Sequence, residues 1–305
     1  MTVSAVITTY NYARFLPDAL DSVLAQSHPD LEIVVVDDGS TDATASVVAD
    51  YASRGVRYVS RPHGGAGKAR TTGREATSAP LVAFLDADDA WLPDRVEAGL
   101  AHLERHPELA LVAAHAYACD ERLHPTAVVP AATRPNGHML EQLLVDNVVL
   151  NPSSVLIRRA ALEEAGGFSE IQFGEDWDTW IEIAKRHPIG FVDRPLALVR
   201  RHAGSSSPQR VGVWLDVNRS IVERHLDAFQ PAWKRPLIRR RAASMAHFHA
   251  GVGSVKGGDR HAARRHALTA VALDPLTLAR RKAKLMTRAF LPRPLSDRLS
   301  RGSHA

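Results

Sequence analysis

The chain has 305 residues, of which 45% are hydrophobic and 24% charged, a composition typical of a soluble globular protein with about two structural units. Its single cysteine, Cys119, excludes an internal disulfide framework and fits a reducing cytoplasm. No signal segment opens the chain, and no apolar run approaches the roughly 20 residues that cross a bilayer. We therefore expect a cytoplasmic protein.

The net charge of +4 is unevenly distributed along the chain. Residues 1–209 carry 18 Lys or Arg and 28 Asp or Glu, whereas residues 210–305 carry 20 and 6. Such a division predicts two regions with different roles.

The first part of the chain alternates strand and helix patterns. The predicted strands are "VSAVITTY", "LEIVVVDDGS", "VRYVSRP" and "LVAFL", and the helices between them are "PDALDSVLAQS", "TDATASVVADYAS" and "GKARTTGREATS". Ser40 or Thr41 is the predicted cap of the second helix. Near-continuous apolar strands separated by helices predict an α/β fold with a mostly parallel sheet covered on both faces.

Ligands of parallel α/β sheets bind at the carboxyl ends of the strands. Thr8, Tyr10 and Asn11 follow the first strand, Asp38 follows the second, and the acids of 86–89 follow the fourth. We therefore expect these side chains along one rim of the sheet.

Beyond residue 92 the pattern is less regular. The predicted elements are a helix in "LPDRVEAGLAHLERHP", a strand in "ALVAAHAYACD", a strand and helix ending at Gly166-Gly167, a helix in "GEDWDTWIEIAKRHP" and a strand pair in "IGFVDRPLALVRRH". After "AGSSSPQR" the chain is helical and rich in arginine. The segments "IRRRAASMAHFHAG" and "DRHAARRHALTAVALDP" predict a helical hairpin.

The stretch "FLDADD" delivers Asp86, Asp88 and Asp89 together at the end of a buried strand. Carboxylates this close repel one another unless a cation or a ligand compensates their charge. Mg²⁺ takes one or two protein carboxylates, and Mn²⁺ accepts the same oxygen ligands. The alternative is that Asp88 and Asp89 only form a turn and cap the next helix.

Two further motifs allow both a binding and a structural interpretation. In "HGGAGKART" the residue after Lys68 is Ala69, so the phosphate-loop spacing fails, and a basic loop remains. Lys68 and Arg70 in this loop can meet a diphosphate, or the loop is merely solvated. Likewise, Asp38 in "VVDDGSTD" either accepts hydrogen bonds from a nucleoside or caps a helix.

The stretch "FGEDWDTW" places Glu175, Asp176 and Asp178 at the start of a helix. Trp177 and Trp180 share a face and either line a pocket or belong to the core. Indoles around a carboxyl would raise its pKa and the helix dipole would lower it, so the direction stays open.

The stretch "VRRHAGSSS" places Arg200, Arg201 and His202 after a strand. These residues either bind a cation or a diphosphate, or form a solvated basic turn.

Taken together, the motifs resemble those of the family 2 glycosyltransferases, inverting GT-A enzymes that use nucleotide-sugar donors. The resemblance covers roughly residues 2–207 and rests above all on "VVVDDGSTD" together with "FLDADD" at this separation, with "GEDWDTW" following in the expected order. It implies a GT-A catalytic domain at 1–207, followed by a basic helical region at 208–305.

The resemblance also implies a role for each motif residue. Asp176 is the implied catalytic base, and Asp88 with His202 the implied ligands of a Mn or Mg ion. The implied donor-binding residues are Thr8, Tyr10, Asn11, Asp38, Lys68, Arg70 and Asp86. The implied partners are a nucleotide-sugar donor, with a UDP-sugar favoured, and a hydroxyl acceptor.

Two other functions fit parts of the sequence. A sugar-phosphate nucleotidyltransferase would also place acids near a metal, and a nucleic-acid binder would use the basic tail. The acidic first 209 residues argue against nucleic acid. Cationic helices such as "TLARRKAKLMTRAFL" either lie on an anionic membrane surface, which suits a lipid-linked acceptor, or pack with a solvated face.

Overall fold

The computed structural model describes residues 1–129, 131, 136–205, 211–277 and 279–290. Within them, nine strands form one sheet. The strands are β1 (Val3–Thr9), β2 (Leu31–Asp37), β3 (Arg57–Ser60), β4 (Leu81–Asp86), β5 (Ala90–Trp91), β6 (Leu111–Cys119), β7 (Pro125–Val129), β8 (Val155–Arg158) and β9 (Ile189–Arg200). The helices are α1 (Leu16–Leu24), α2 (Thr44–Ala49), α3 (Ala66–Glu75), α4 (Arg95–Arg105), α5 (Leu140–Val145), α6 (Arg159–Glu164), α7 (Glu175–Ala184), α8 (Val211–Leu226), α9 (Arg235–Lys256), α10 (Arg260–Leu273) and α11 (Ala279–Phe290).

The sheet combines a parallel half with a mixed half. The strand order is β3-β2-β1-β4-β8-β6-β9-β5, and β7 pairs with β6. The first four strands are parallel, as predicted, whereas β8 runs antiparallel to both of its neighbours. In the parallel half Thr9 is paired with Asp37 and Thr8 with Asp86, so the polar ends of three strands lie side by side.

Helices cover both faces of the parallel half of the sheet. Successive residues of β1 point to opposite faces, so neighbouring side chains contact different helices. Ile7 packs in one apolar cluster with Leu16 and Leu20 of α1. On the other face α3 approaches so closely that a Cβ on Gly73 would lie 2.2 Å from Cγ1 of Val6. The α/β class predicted from the continuous apolar strands is therefore confirmed.

Two local predictions are wrong. Neither Ser40 nor Thr41 caps α2, because the Asp42 carboxylate accepts the N–H of Thr44 at 3.0 Å while Ser40 Oγ accepts the N–H of Asn11. The predicted strand pair at 189–200 is one strand, β9, in which register shifts against β6 accommodate Pro195.

The described contacts divide the chain into two compact units. Unit 1 consists of Met1–Leu140 and Asn147–Ala203, and unit 2 of Glu141–Asp146 and the described part of Gly204–Ala305. The predicted domain boundary at 207/208 lies outside the described residues and stays a prediction.

Unit 2 contains the predicted helical hairpin, formed by α9 and α10. Gly258, with φ of 83°, turns the chain between them. The third helix, α11, buries Leu285 and Ala289 in the same apolar cluster as these two helices. Leu285 and Ala289 are therefore covered by the helix's own unit, whereas Phe290 is 41% exposed.

Across the described ranges, we find no helix that is both long and apolar enough to span a bilayer.

Candidate active site

The polar ends of β1, β2 and β4 meet as expected at one edge of the sheet. Thr8 Oγ1 donates to Asp86 Oδ1 at 3.4 Å, and the Ala87 N–H donates to the Thr8 carbonyl at 3.0 Å. The Asp38 N–H donates to the carbonyl of Thr9 at 2.9 Å. These contacts join the ends of three strands into a continuous polar rim.

A buried arginine connects this rim to α7. Arg70, on α3, donates to Asp86 Oδ1 at 2.8 Å and to Glu175 Oε1 at 2.7 Å. Only 4% of its side chain is exposed. Burial alone would lower the pKa of Arg70, but the carboxylates of Asp86 and Glu175 outweigh it and raise that pKa. The guanidinium is therefore fixed as a cation between two acids that are 89 positions apart in the sequence.

A glycine permits this connection. Gly67 lies in the first turn of α3, and a Cβ there would be 2.2 Å from the carbonyl oxygen of Ser169. Only glycine allows α3 to pass so close to the chain that leads into α7, which brings Arg70 to Glu175.

Asp176 lies in the first turn of α7, partly buried, next to Glu175. Burial, the neighbouring Glu175 carboxylate and the Asp86 carboxylate raise the pKa of Asp176 to about 7, although Arg70 and the Trp177 N–H oppose the change. The direction that the sequence left open is therefore upward. A carboxyl group with such a pKa can accept a proton near neutral pH.

Trp177 and Trp180 do not line a pocket. Both indoles are fully buried. Trp180 packs edge-to-face against Phe168 at a centroid distance of 5.7 Å. The core alternative is the correct one for these two residues.

Asp88, which is partly exposed, and His202, which is buried, form a pair beside the Arg70 cluster. His202 Nε2 lies 3.0 Å from Asp88 Oδ2, and the imidazole is enclosed by Tyr12 and Phe15 at centroid distances of 5.5 and 4.7 Å. Burial, followed by repulsion from Asp86, raises the pKa of Asp88. The ionised form of Asp88 is thus disfavoured unless a bound cation compensates its charge.

Asp89 and Arg200 form hydrogen bonds next to this pair. Asp89 accepts hydrogen bonds from Ser153 Oγ at 2.7 Å and from the Arg200 N–H at 3.0 Å. The Arg200 Nε donates to the carbonyl of Asp88 at 2.7 Å, and its side chain is buried. Asp89 is therefore not a helix cap, and Arg200 does not belong to a solvated turn.

The donor set of this region suits a hard divalent cation. Among the described residues no group of three or more His, Cys, Asp or Glu is arranged around one point. Two side chains, Asp88 and His202, are in contact, and a divalent cation would relieve the repulsion that raises the Asp88 pKa. Mg²⁺ and Mn²⁺ sites of this kind take their other ligands from substrate phosphates and water.

Asp38 lies at the other end of the rim and is surrounded by donors. The N–H groups of Gly64 and Gly65 donate to it at 3.1 and 2.7 Å, and Arg61 forms an ion pair with it. His63 Nδ1 is 2.9 Å from Asp38 Oδ2. Asp38 does not cap α2, so the structural alternative for this residue is wrong.

The remaining sequence-predicted residues surround this carboxylate or lie on α3. Tyr10 is 42% exposed and stacks on His63. Asn11, with φ of 57°, accepts the Thr41 N–H at 2.8 Å and thereby joins the two loops that follow β1 and β2. Lys68 Nζ is 3.2 Å from Glu170 Oε2. The predicted residues of the first 90 therefore lie at or next to the rim, except Lys68, whose ammonium is paired with Glu170.

No role is predicted from sequence for four residues of this region, Glu175, Tyr12, Arg61 and His63. Glu175 was recognisable as an acid of the α7 turn, but its partner Arg70 is too distant in sequence to be deduced. Tyr12 follows the "TTYN" motif closely, and this position was the available signal.

The mixed sheet, with its acidic rim at the ends of β1, β2 and β4, defines an α/β protein. Residues 4–166 match the domain family described as glycosyl transferase family 2. Because the match spans more than half of the chain, the protein belongs to glycosyl transferase family 2. The match ends before Asp176 and His202, so the placement of these two residues rests on the structure.

Several curated proteins are similar to this chain. An uncharacterised glycosyltransferase of Nostoc sp. is 44% identical over 100 residues, covering 32% of this chain and 31% of that protein. One of Rickettsia prowazekii is 26% identical over 209 residues, covering 67% and 65%. The putative teichuronic acid biosynthesis glycosyltransferase TuaG of Bacillus subtilis is 30% identical over 196 residues, covering 60% and 72%. The chain thus spans about one to two thirds of the length of the first relatives it matches.

Solved structures share the fold. TarS of S. aureus in complex with UDP-GlcNAc superposes with a TM-score of 0.68 at 19% identity, covering 94% of this chain and 87% of that one. The mannosyltransferase PcManGT of Pyrobaculum calidifontis, in complex with GDP-Man and Mn²⁺, gives 0.59 at 19% identity, covering 94% and 85%. The predicted GT-A fold is confirmed by these similarities.

Proposed function

We propose that this protein is an inverting glycosyltransferase that moves a sugar from a nucleoside-diphosphate sugar to a hydroxyl acceptor. One observation carries the proposal. Arg70 holds the rim acid Asp86 and the α7 acid Glu175 in one buried cluster, next to Asp176 with its raised pKa. A donor site and a proton acceptor are therefore adjacent.

In this mechanism Asp176 takes the proton of the incoming hydroxyl. The attacking oxygen needs to lose a proton as it bonds to the sugar, and an ionised carboxylate of pKa about 7 can accept it near neutral pH. Glu175 accepts a hydrogen bond from Arg70 and keeps it in position. Attack on the face opposite the leaving diphosphate inverts the sugar configuration.

The donor nucleotide would bind along the rim. The proposed donor-binding residues are Thr8, Tyr10, Asn11, Asp38, Lys68, Arg70 and Asp86. Tyr10 offers an exposed ring for stacking, and Asp38 offers a carboxylate that accepts N–H groups. We favour a UDP-sugar, because TarS, which shares the fold, was solved with UDP-GlcNAc and with UDP.

Asp88 and His202 would hold a Mn or Mg ion. When bound, such an ion neutralises the charge that grows on the leaving diphosphate. Asp88 contributes its carboxylate from the loop after β4, and His202 presents Nε2 on the same side. Arg200 Nε donates to the Asp88 carbonyl, which holds the Asp88 backbone in place.

We further propose that residues 1–207 form the catalytic domain and that the protein works at the cytoplasmic face of a membrane, on a lipid-linked glycan. The similarity to TuaG supports a role in polysaccharide biosynthesis. Unit 2 supports the membrane contact, because residues 260–290 contain eight Lys or Arg and one acid, Asp274.

A basic surface on α10 and α11 is the proposed contact with the membrane. We define it by Arg264, Leu268, Lys284, Arg288 and Phe290. The Arg264 guanidinium lies 5.2 Å from the centroid of Phe290, and Leu268, one turn further on α10, is 51% exposed. Exposed apolar side chains among cations favour an anionic bilayer surface.

Sedimentation with vesicles tests this surface. Wild-type protein should bind phosphatidylglycerol vesicles and not phosphatidylcholine vesicles, and the double variant Arg264→Glu, Lys284→Glu should lose binding. Equal binding by both proteins contradicts the proposed surface. Salt-sensitive binding of DNA instead of vesicles would favour the nucleic-acid alternative.

A donor panel tests the enzymatic function. UDP-, GDP- and TDP-sugars with Mn²⁺ should include one that raises the melting temperature, because a ligand that binds only the folded state stabilises it. The variant Asp88→Ala should lose the Mn²⁺-dependent part of that increase, and the exposed-site control Asp193→Asn should keep it. If no sugar nucleotide stabilises the wild type, the proposal fails.

Product analysis separates the alternative enzyme class. A glycosyltransferase releases a nucleoside diphosphate, whereas a sugar-phosphate nucleotidyltransferase releases pyrophosphate from a nucleoside triphosphate. Pyrophosphate as the product would favour the nucleotidyltransferase.

A further inference from the structure

We infer that His63 occupies the position of the donor nucleobase in the free protein, so that a donor binds only by displacing this imidazole. The inference rests on the proposed function, in which Tyr10 and Asp38 hold the base. It adds a residue that controls access to that site.

The imidazole makes the two contacts that a nucleobase would make. Its ring stacks on Tyr10 with a centroid distance of 4.1 Å and an interplanar angle of 25°. Its Nδ1 lies 2.9 Å from Asp38 Oδ2 and 3.1 Å from the Asp38 carbonyl oxygen. Both atoms are acceptors, so Nδ1 carries the proton in this contact. A planar ring that stacks and donates an N–H is the recognition pattern of a base such as uracil, whose N3–H is a donor of the same kind.

His63 can leave this position without disturbing the core. Its side chain is 56% exposed, and it is followed by Gly64 and Gly65. Gly65 has φ of 94°, a conformation that glycine adopts without strain. The exposed ring can therefore rotate away from Asp38 about its own side-chain bonds.

Asp38 remains compensated when the imidazole departs. Arg61 and the N–H groups of Gly64 and Gly65 still contact its carboxylate. A buried carboxylate that lost all its donors would oppose the displacement, whereas here only one of several donors is exchanged. The base N–H then takes the place of Nδ1–H.

The loop that carries His63 is held close to β2. A Cβ on Gly39, which has φ of 83°, would lie 2.9 Å from the backbone nitrogen of His63. The backbone at residue 63 is thus fixed next to the rim, so the displacement concerns the side chain. Competition between the imidazole and the nucleotide weakens nucleotide binding. The apparent association constant is the intrinsic constant multiplied by the fraction of molecules in which His63 has left the site.

Calorimetric titration with UDP and with GDP, each with Mn²⁺, tests the inference on the full-length chain. The variant His63→Ala should bind the preferred nucleotide about threefold or more tightly than the wild type. His63→Phe, which stacks but cannot donate, should have an intermediate affinity. The exposed-site control His124→Ala should equal the wild type.

A purely structural role for His63 would weaken binding or leave it unchanged on substitution, and either result in His63→Ala overturns the inference. A double-mutant cycle adds a second test, because His63→Ala should have a smaller effect in a Tyr10→Ala background. An equal effect in both backgrounds contradicts stacking on Tyr10.

The proposed function fails separately from the inference. If the wild type binds neither nucleotide and His63→Ala also binds neither, both are wrong. If the wild type binds and Tyr10→Ala binds more weakly, while His63→Ala does not bind more tightly, only the inference is wrong.

Discussion

Unit 1 and unit 2 both bury ionisable side chains, but they compensate the charge differently. In unit 2, Lys282 is buried, and its ammonium donates to Ser244 Oγ at 2.8 Å and to the Asp274 carbonyl. Burial lowers the pKa of Lys282, and the Asp274 carboxylate opposes this shift. Lys282 is thus a single charge with local acceptors.

The rim of unit 1 instead collects charges of the same sign. Burial is the largest cause that raises the pKa values of Asp88, Asp89 and Asp176, and in each case a neighbouring carboxylate adds to it. The fold therefore retains repulsion between carboxylates, which hydrophobic residues at these positions would not cause. The difference teaches that clustered carboxylates, more than burial itself, distinguish the candidate site from a single buried charge such as Lys282.

The largest expected effect comes from removing the cation that opposes this repulsion. Arg70→Met should lower the free energy of unfolding by about 3–5 kcal/mol, because it leaves the mostly buried Glu175 and the partly buried Asp86 without their partner. Urea unfolding measures the change. The control Arg54→Met removes an exposed pair with Asp21 and should cost less than about 1 kcal/mol. Equal losses in both variants would contradict the central place of Arg70.

A smaller effect, of opposite sign, is expected from Asp176→Asn. The folded-state pKa of about 7 lies above the ordinary value of 3.8. The free energy of unfolding of the wild type therefore decreases as the pH rises from 3.8 to about 7, because the ionised carboxylate is disfavoured in the folded protein. The variant should therefore be more stable than the wild type by about 2–4 kcal/mol at pH 8 and not at pH 3.5.

Urea unfolding at the two pH values measures this difference. Asp193→Asn serves as a control, because the Asp193 side chain is 85% exposed. A variant that is less stable than the wild type at pH 8 would contradict the raised pKa.

The smallest effect concerns a histidine pair in unit 2. His247 and His266 lie with their Nδ1 atoms 3.0 Å apart. Burial lowers the pKa of both rings, and His266 further lowers that of His247. A lowered folded-state pKa means that stability falls as pH drops below about 6.5, where the unfolded chain gains protons first.

The variant His247→Gln should reduce this dependence between pH 7 and 5 by less than about 1 kcal/mol. Thermal melts at several pH values measure it, with the exposed His261→Gln as control. An unchanged pH dependence would show that the pair does not titrate as described.

The sequence was sufficient for the parallel half of the sheet and its rim. Apolar strands ending in Thr8, Asp38 and Asp86 determine the rim by a general rule of parallel sheets. The run of acidic residues in "GEDWD" also predicted the first turn of α7, which contains Asp176. These inferences needed only residues that are neighbours along the chain.

What the sequence did not reveal depends on long-range contacts. The position of β8 between β4 and β6, and the ion pair of Arg70 with Glu175, join segments far apart in the chain. The direction of the Asp176 pKa change depends on burial, which periodicity does not measure. The contact of His63 with Tyr10 requires the geometry of two loops.

The rate of sugar transfer by Asp176→Asn tests the central claim most directly. With the donor identified by the panel, kcat should fall at least about 100-fold while nucleotide affinity stays within about threefold of the wild type. The wild-type kcat should itself decrease as pH falls below 7, in step with protonation of Asp176. Transfer at the wild-type rate by Asp176→Asn would contradict the account.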